Sequence, residues 1–139
     1  MGTQCWADGE EAAIVSLINA FRASNNRLAL VMQVKLGRAA ELHSQDQAAH
    51  NFSGHNGSNG STVEQRLDAA GYAAQVWGEN VAWHSADGSA QMAFSLWQNS
   101  PPHRDAMLNA TFQEIGVGRA QSTTGVWYWT ADFAKPALN

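Results

Sequence analysis

The sequence has little of what marks several large protein classes. It holds one cysteine, Cys5, so no intrachain disulfide can form. Only 14% of residues are charged and no Lys/Arg cluster exists, which leaves no electrostatic footprint for nucleic acid. No apolar run is long enough to span a bilayer, and no secretory leader stands at the start. No repeat or low-complexity tract occurs. No G-x-S-x-G elbow is present and Cys5 has no catalytic setting, so covalent catalysis has no visible nucleophile.

What is there is material for one folded core. Hydrophobic residues make up 45% of the 139, too many for a disordered chain. That length forms a single domain without a staple. Residues 1–8 are expected to be a disordered or added start, with Met1-Gly2-Thr3 standing where an export signal has been removed, and Cys5 an inert thiol. Residues 9–135 are expected to be the domain. Six tryptophans are many for this length, enough for both a core and the lining of a cleft.

Asp8 can cap a helix opening at Gly9, with Glu10 and Glu11 in its first turn, where the helix dipole favours anions. Ile14, Leu17, Ile18 and Phe21 give it one apolar face, and Asn25-Asn26 ends it. Leu28 to Val34 is too short and irregular to assign. A second helix runs from Lys35 to about Asn51, with Leu36, Ala39, Ala40, His43 and Gln47 on one face. His43 there reads as a hydrogen-bonded core histidine, and His50 as solvent-facing. Ser53 to Gly60 is a loop by composition. Ser61-Thr62-Val63-Glu64 reads as a capping box opening a short helix that Gly71 closes. Glu79 to His84 suits a strand. Ser89 precedes another helix, and Pro101 starts a helical turn with Ser100 as N-cap. Phe112 to Gln121 and Val126 to Phe133 form an antiparallel hairpin across Ser122-Thr123-Thr124-Gly125. Helices first and the hairpin last predict an α+β fold.

One stretch stands apart. Glu79, in Trp77-Gly78-Glu79-Asn80-Val81-Ala82, is an acid at the mouth of an apolar run, and burying it demands a partner. His55 lies 24 residues before it and His103 lies 24 after, each in turn-like sequence. Three segments are thus expected to converge on one cleft, with Trp77, Asn80 and Trp83 as further lining.

Several motifs together resemble one family. They are Ala39-Ala40-Glu41-Leu42-His43-Ser44-Gln45-Asp46, Phe52-Ser53-Gly54-His55, Gly78-Glu79-Asn80-Val81-Ala82, Trp97-Gln98-Asn99-Ser100-Pro101-Pro102-His103-Arg104, Ile115-Gly116-Val117-Gly118 and Tyr128-Trp129-Thr130-Ala131-Asp132-Phe133. In this order, from about Ile14 to Phe133, they resemble the CAP superfamily (cysteine-rich secretory, antigen 5 and pathogenesis-related proteins; the SCP domain), in its cysteine-poor bacterial branch. The resemblance implies a three-layer α–β–α sandwich with a small central antiparallel sheet, and a secreted, extracellular protein. It implies a cleft of two histidines and two glutamates that in some members binds a divalent cation, often zinc. His55, Glu79 and His103 match three of the four. The fourth, a glutamate, is missing; its place falls near Ser100, with Gln98 the nearest polar alternative.

Two neutral imidazoles and a carboxylate suit zinc, with His55 and His103 as the metal ligands and Glu79 either a third ligand or an outer group orienting an imidazole. Three functions stay open: a binding module for a divalent metal and a small ligand, peptide or glycan; a sterol or fatty-acid binder, which the resemblance implies, using Trp77, Trp83 and the Met92/Phe94 helix; or a metal-dependent or His/Glu hydrolase with His55, Glu79 and His103 as its catalytic residues. Binding ranks above catalysis. A monomer is expected, since no heptads and no long apolar edge appear.

Overall fold

The computed structural model of the protein describes residues 8–138. The expectations for residues 1–7, Cys5 among them, lie outside the described residues. Asp8 opens α1 (Gly9–Ser24): its carboxylate accepts from the Glu11 N–H at 2.7 Å, and the Glu11 carboxylate accepts from the Asp8 N–H at 2.8 Å. Each satisfies a donor that the helix start would otherwise leave free. There follow β1 (Val31–Met32), α2 (Val34–His50), α3 (Val63–Ala69), β2 (Ala74–His84), α4 (Ala90–Gln98), α5 (Pro101–Met107), β3 (Glu114–Gln121) and β4 (Trp127–Pro136).

The sheet runs β1-β3-β4-β2, with β3, β4 and β2 antiparallel. Helices cover both faces, giving the α–β–α sandwich. The sheet is mixed rather than purely antiparallel, because β1 pairs with β3 in parallel. A two-residue strand is too short to show a period, so it left no signal in Leu28 to Val34. β2 starts five residues before Glu79, and a register irregularity between Ala74 and Val76 breaks the alternation there. The α3 capping box is shifted by one: Thr62 and Gln65 form it, not Ser61 and Glu64. Ser100 makes no capping bond with its side chain, which goes to His103 instead.

One face of the sheet carries Ile115, Val117, Trp129, Ala131 and Phe133, packed against Ile14, Val15 and Ile18 of α1, Phe94 and Trp97 of α4, and Met107 of α5. Arg22, buried in α1, donates to the Met107 and Asn109 carbonyls at 2.8 and 3.0 Å and so pins α5. The other face meets α2 at backbone distance. A Cβ on Gly116 would sit 2.0 Å from the Gly37 nitrogen, and one on Gly118 would sit 2.3 Å from the Glu41 Cα. No side chain fits at either position, so the two glycines let α2 lie directly on β3. Leu36, Ala39, Val63, Leu67, Tyr72 and Ala134 form the smaller apolar cluster on this side.

Candidate functional site

Glu79 sits on β2, which forms one edge of the sheet, and faces the α2 side opposite Asp132 of β4. Its side chain is 1% exposed, so its charge must be met within the protein. Arg66, projecting from α3, meets it with both ends of the guanidinium: Nη1 donates to Oε2 at 2.9 Å and Nη2 to Oε1 at 3.1 Å. This two-pronged geometry is the strong form of a charged hydrogen bond. His55 Nδ1 lies 3.0 Å from Oε1. Arg66 Nη2 also donates to the His55 carbonyl, so one arginine fixes both members of the pair.

The loop carrying His55 is held from α2. His43 Nε2 donates to the Gly54 carbonyl at 2.7 Å, and the Gly54 N–H donates to Gln47 Oε1 at 3.1 Å. His43 is thus the hydrogen-bonded core histidine expected from its helix face, and it acts on the site by positioning its neighbour. Its Nε2 lies 4.0 Å from Glu79 Oε1.

Asp132 is fully buried, and neither of its oxygens has a donor in reach. Two facing buried carboxylates cannot both be ionised cheaply. Burial, with the Glu79 charge beside it, raises the Asp132 carboxyl well above its usual range. A protonated Asp132 is itself a donor to Glu79, which accounts for the absence of any other. Burial alone would raise Glu79 too, but hydrogen bonds from Asp132, His55 and Arg66 outweigh it and hold Glu79 at about 2. The bond to Glu79 raises His55 above the usual imidazole value against the opposing effect of burial. Burial lowers His43, and burial together with the nearby His55 charge lowers His103.

Of the three residues expected to converge, the structure hydrogen-bonds His55 to Glu79 and sets His103 close enough to His55 for its charge to be felt. His103 is on α5, with its Nδ1 2.8 Å from Ser100 Oγ and its carbonyl accepting from Asn80 Nδ2 at 3.0 Å. Asn80 is therefore buried on the opposite face of β2 from Glu79 and supports α5 rather than lining a cleft. Two cavities lie along β2. One, of about 410 Å³, is lined by His55, Glu79, Thr62 and Trp77. The other, of about 330 Å³, is lined by His103, Trp83, Leu96 and Ser53. Trp77 and Trp83 are 40% and 58% exposed, as a lining role requires. Phe94 is not available to such a groove, because it packs edge-on against Phe21 in the core. Leu96, on the outer side of the same helix, takes that place.

Two site residues escaped the sequence reading. Arg66 had a signal: a buried acid at position 79 needs a cation, and Arg66 is the only Lys or Arg between Arg38 and Arg104. Asp132 had a weaker one, a lone acid inside the apolar run Trp127 to Phe133.

As placed, the donor set does not fit a divalent cation held by three protein ligands. Both Glu79 oxygens are engaged by Arg66, whose positive charge occupies the side of the carboxylate that a cation would use. Among the described residues no three His, Cys, Asp or Glu side chains form a group that could hold a metal.

Residues 15–133 match the CAP family, described as the cysteine-rich secretory protein family. The chain is 30% identical over 90% of its length to YlbC of Bacillus subtilis, named an uncharacterized membrane protein. It superposes with a TM-score of 0.81 at 29% identity, over 91% of its length, on an extracellular SCP-domain protein of Bacillus anthracis. It spans only 34% of the first protein and 40% of the second. An outer surface protein of Borrelia burgdorferi shares the fold over 99% of this chain and 100% of its own, with a TM-score of 0.84 at 21% identity. Among the described residues no helix is long and apolar enough to cross a membrane.

Proposed function

The chain belongs to the cysteine-rich secretory protein (CAP) family, and from that premise we propose that it is an extracellular ligand-binding domain whose site is the cleft between His55, Glu79 and Trp77. The observation that carries this reading is the buried Arg66–Glu79 pair beneath a cavity of about 410 Å³ with a half-exposed indole at its side. That volume lies in the range of small-molecule sites. The pair keeps the floor rigid and electrically satisfied before any ligand arrives, which lowers the ordering cost of binding.

The same chemistry argues against Glu79 as a general base. A general base works best with a pKa near the working pH, and Glu79, at about 2, is too weak a base. It is better suited to orienting His55, whose Nδ1 it fixes, so that the rest of the ring can contact a bound molecule. A divalent cation would find two imidazoles without the carboxylate, so zinc is expected to bind weakly.

The neighbouring cavity of about 330 Å³ supports a second reading, a sterol or fatty acid lying along Trp83 and Leu96, both open to solvent. Backbone and tryptophan side-chain NMR with a set of small neutral and anionic aromatic compounds tests the first reading. Ligand-dependent shifts should cluster at His55, Thr62 and Trp77. Shifts confined to Trp83, Leu96 and His103, or lipid recovered by solvent extraction of the purified protein, would favour the second. Calorimetry with zinc closes the metal question: strong one-site heat that disappears in the His55→Ala, His103→Ala double variant would restore the metal reading.

A further inference from the structure

Toward the end of β2 away from Trp77, the indole of Trp83 stands 58% exposed. It shares a face of the strand with Glu79, by the two-residue period of side chains. Across the strand pair it faces Tyr128 of β4. Beside these two rings lies a further cavity of about 280 Å³, walled by Asn51, Phe52, Ser53, Trp83, Val126 and Tyr128. Asn51 ends α2 in the left-handed conformation, φ 54° and ψ 49°, and its backbone N–H bonds to the Gln47 carbonyl. The backbone thus makes the cap, and the side-chain amide bonds to nothing among the described residues. The Ser53 hydroxyl is equally free there, and both residues are exposed. Tyr128 is 6% exposed, and its hydroxyl, without a partner among the described residues, retains accessible surface.

No charged side chain lines this cavity, so it offers nothing to match an ion. A purely apolar occupant would strip water from three polar groups and give no hydrogen bond in return, which is costly. The wall combines one broad apolar ring face with an amide and two hydroxyls, groups that both donate and accept. A pyranose is built in the same way. Its axial C–H bonds form an apolar face that lies flat on an indole, and its rim carries hydroxyls that donate and accept. The volume falls just under the roughly 300–1,000 Å³ of drug-sized sites, which suits a single ring. Trp83 and Ser53 also border the cavity of His103, so the two cavities meet at the indole.

We propose that this cavity is a binding site for a neutral sugar ring. The ring stacks on the Trp83 indole, and its hydroxyls bond to the Asn51 amide, Ser53 Oγ and Tyr128 Oη. An indole is a rigid, amphipathic contact surface that loses little entropy on binding. The left-handed cap fixes the Asn51 backbone, and the sheet fixes both aromatic rings, so most of the site is ordered before the sugar arrives. The site is separate from the cleft of His55 and Trp77 and does not rest on that reading. It competes with a lipid along Trp83 and Leu96, since both would use the same indole.

The probes are the methyl glycosides of glucose, galactose, mannose and N-acetylglucosamine, added to the whole chain labelled with nitrogen-15. Sorbitol, which has the hydroxyls without the ring, and cyclohexanol, which has a ring without the hydroxyl rim, are the controls. The expected result is saturable shifts in the Trp83 indole N–H, the Asn51 side-chain amide and the Ser53 backbone with at least one glycoside, and none with either control. Trisaccharides of the sugar that binds separate two sources. Tighter binding than the monosaccharide assigns the site to a polysaccharide, and equal binding assigns it to a free sugar. Glycine keeps a left-handed cap, so Asn51→Gly should hold its melting temperature and weaken binding roughly three- to tenfold, the worth of one neutral hydrogen bond. Tyr128→Phe, which keeps the ring, should weaken binding by a similar factor. Absence of saturable shifts with every glycoside, equal shifts with sorbitol or cyclohexanol, or both variants binding like the wild type would overturn the proposal. Shifts confined to Leu96 and His103 would also overturn it, as would shifts confined to His55 and Trp77, which would leave the cleft reading intact.

Discussion

The two faces of the sheet are built on different principles. On the α1 side, β3 and β4 present Ile115, Val117, Trp129, Ala131 and Phe133 to a continuous apolar cluster. On the α2 side, the alternate β4 positions are Thr130 and Asp132, met by Ser44, Gln47 and, across the strand pair, Glu79. Ser44 Oγ donates to the Gly118 carbonyl at 2.9 Å and lies 2.8 Å from Thr130 Oγ1. The first face stabilises the fold through burial, and it specifies little beyond shape. The second is a hydrogen-bonded network, costly where incomplete and able to hold charge in one arrangement. The candidate site grows out of that second face, where the network reaches the sheet edge at β2.

The largest effect is expected on the dry face. Phe133→Ala removes a fully buried ring stacked 5.5 Å from Phe112, and should cost about 3–5 kcal/mol in denaturant unfolding. Ligand shifts at His55 and Trp77 should persist below the unfolding transition. Glu79→Ala should come next, at roughly 3 kcal/mol. It strands Arg66, whose side chain is only 11% exposed, and leaves His55 without its anchor. If Glu79→Ala melts like the wild type, the polar face is not the rigid network described.

A smaller effect concerns pH, and it has two opposite limbs. Glu79 is depressed to about 2, so its contribution is present above its unfolded value of about 4.5 and is lost as pH falls toward 2. Glu11, where α1 meets α2 and β3, is raised to about 8 by burial and its hydrogen bond with Glu41. The folded state therefore keeps a proton that the unfolded chain has released, and stability falls as pH rises from about 4.5 to about 8. Asp132, also raised, acts in the same direction. Denaturation midpoints across this range should slope downward, and Glu11→Gln should flatten the slope. An unchanged slope would mean that Glu11 is ionised in the fold.

Much of this contrast was legible in the chain, and what was not has physical reasons. The inward stripe of α1, the α2 face carrying His43 and the closing hairpin follow from period and capping alone, as does the choice of Glu79 as an acid needing a partner. The partner itself was not legible, because Arg66 is 13 residues away on a helix whose orientation only the fold decides. Asp132 was quoted within a motif, yet its pairing with Glu79 depends on strand register, which a sequence without a tight two-residue turn between β2 and β4 cannot fix. His103 was placed near the cleft by spacing and by the resemblance, but its supports were not legible: the fold carries it on α5, where Ser100 and Asn80 hold it within reach of the His55 charge.

The smallest expected effect is at the surface of the site. Trp77→Ala and Trp83→Ala remove exposed rings and should change stability by less than about 0.5 kcal/mol. Each should abolish the ligand-dependent shifts of its own cavity only. A Trp77 variant that loses several kcal/mol would make that ring part of the core.

The central claim, that Glu79 is a charged anchor for His55, is tested most directly by following the His55 ring through a pH titration by NMR. His55 should titrate above the ordinary imidazole value of about 6.5, and in Glu79→Gln it should fall to that value or below. A His55 that titrates at or below the ordinary value in the wild type, and does not move in Glu79→Gln, would contradict the account.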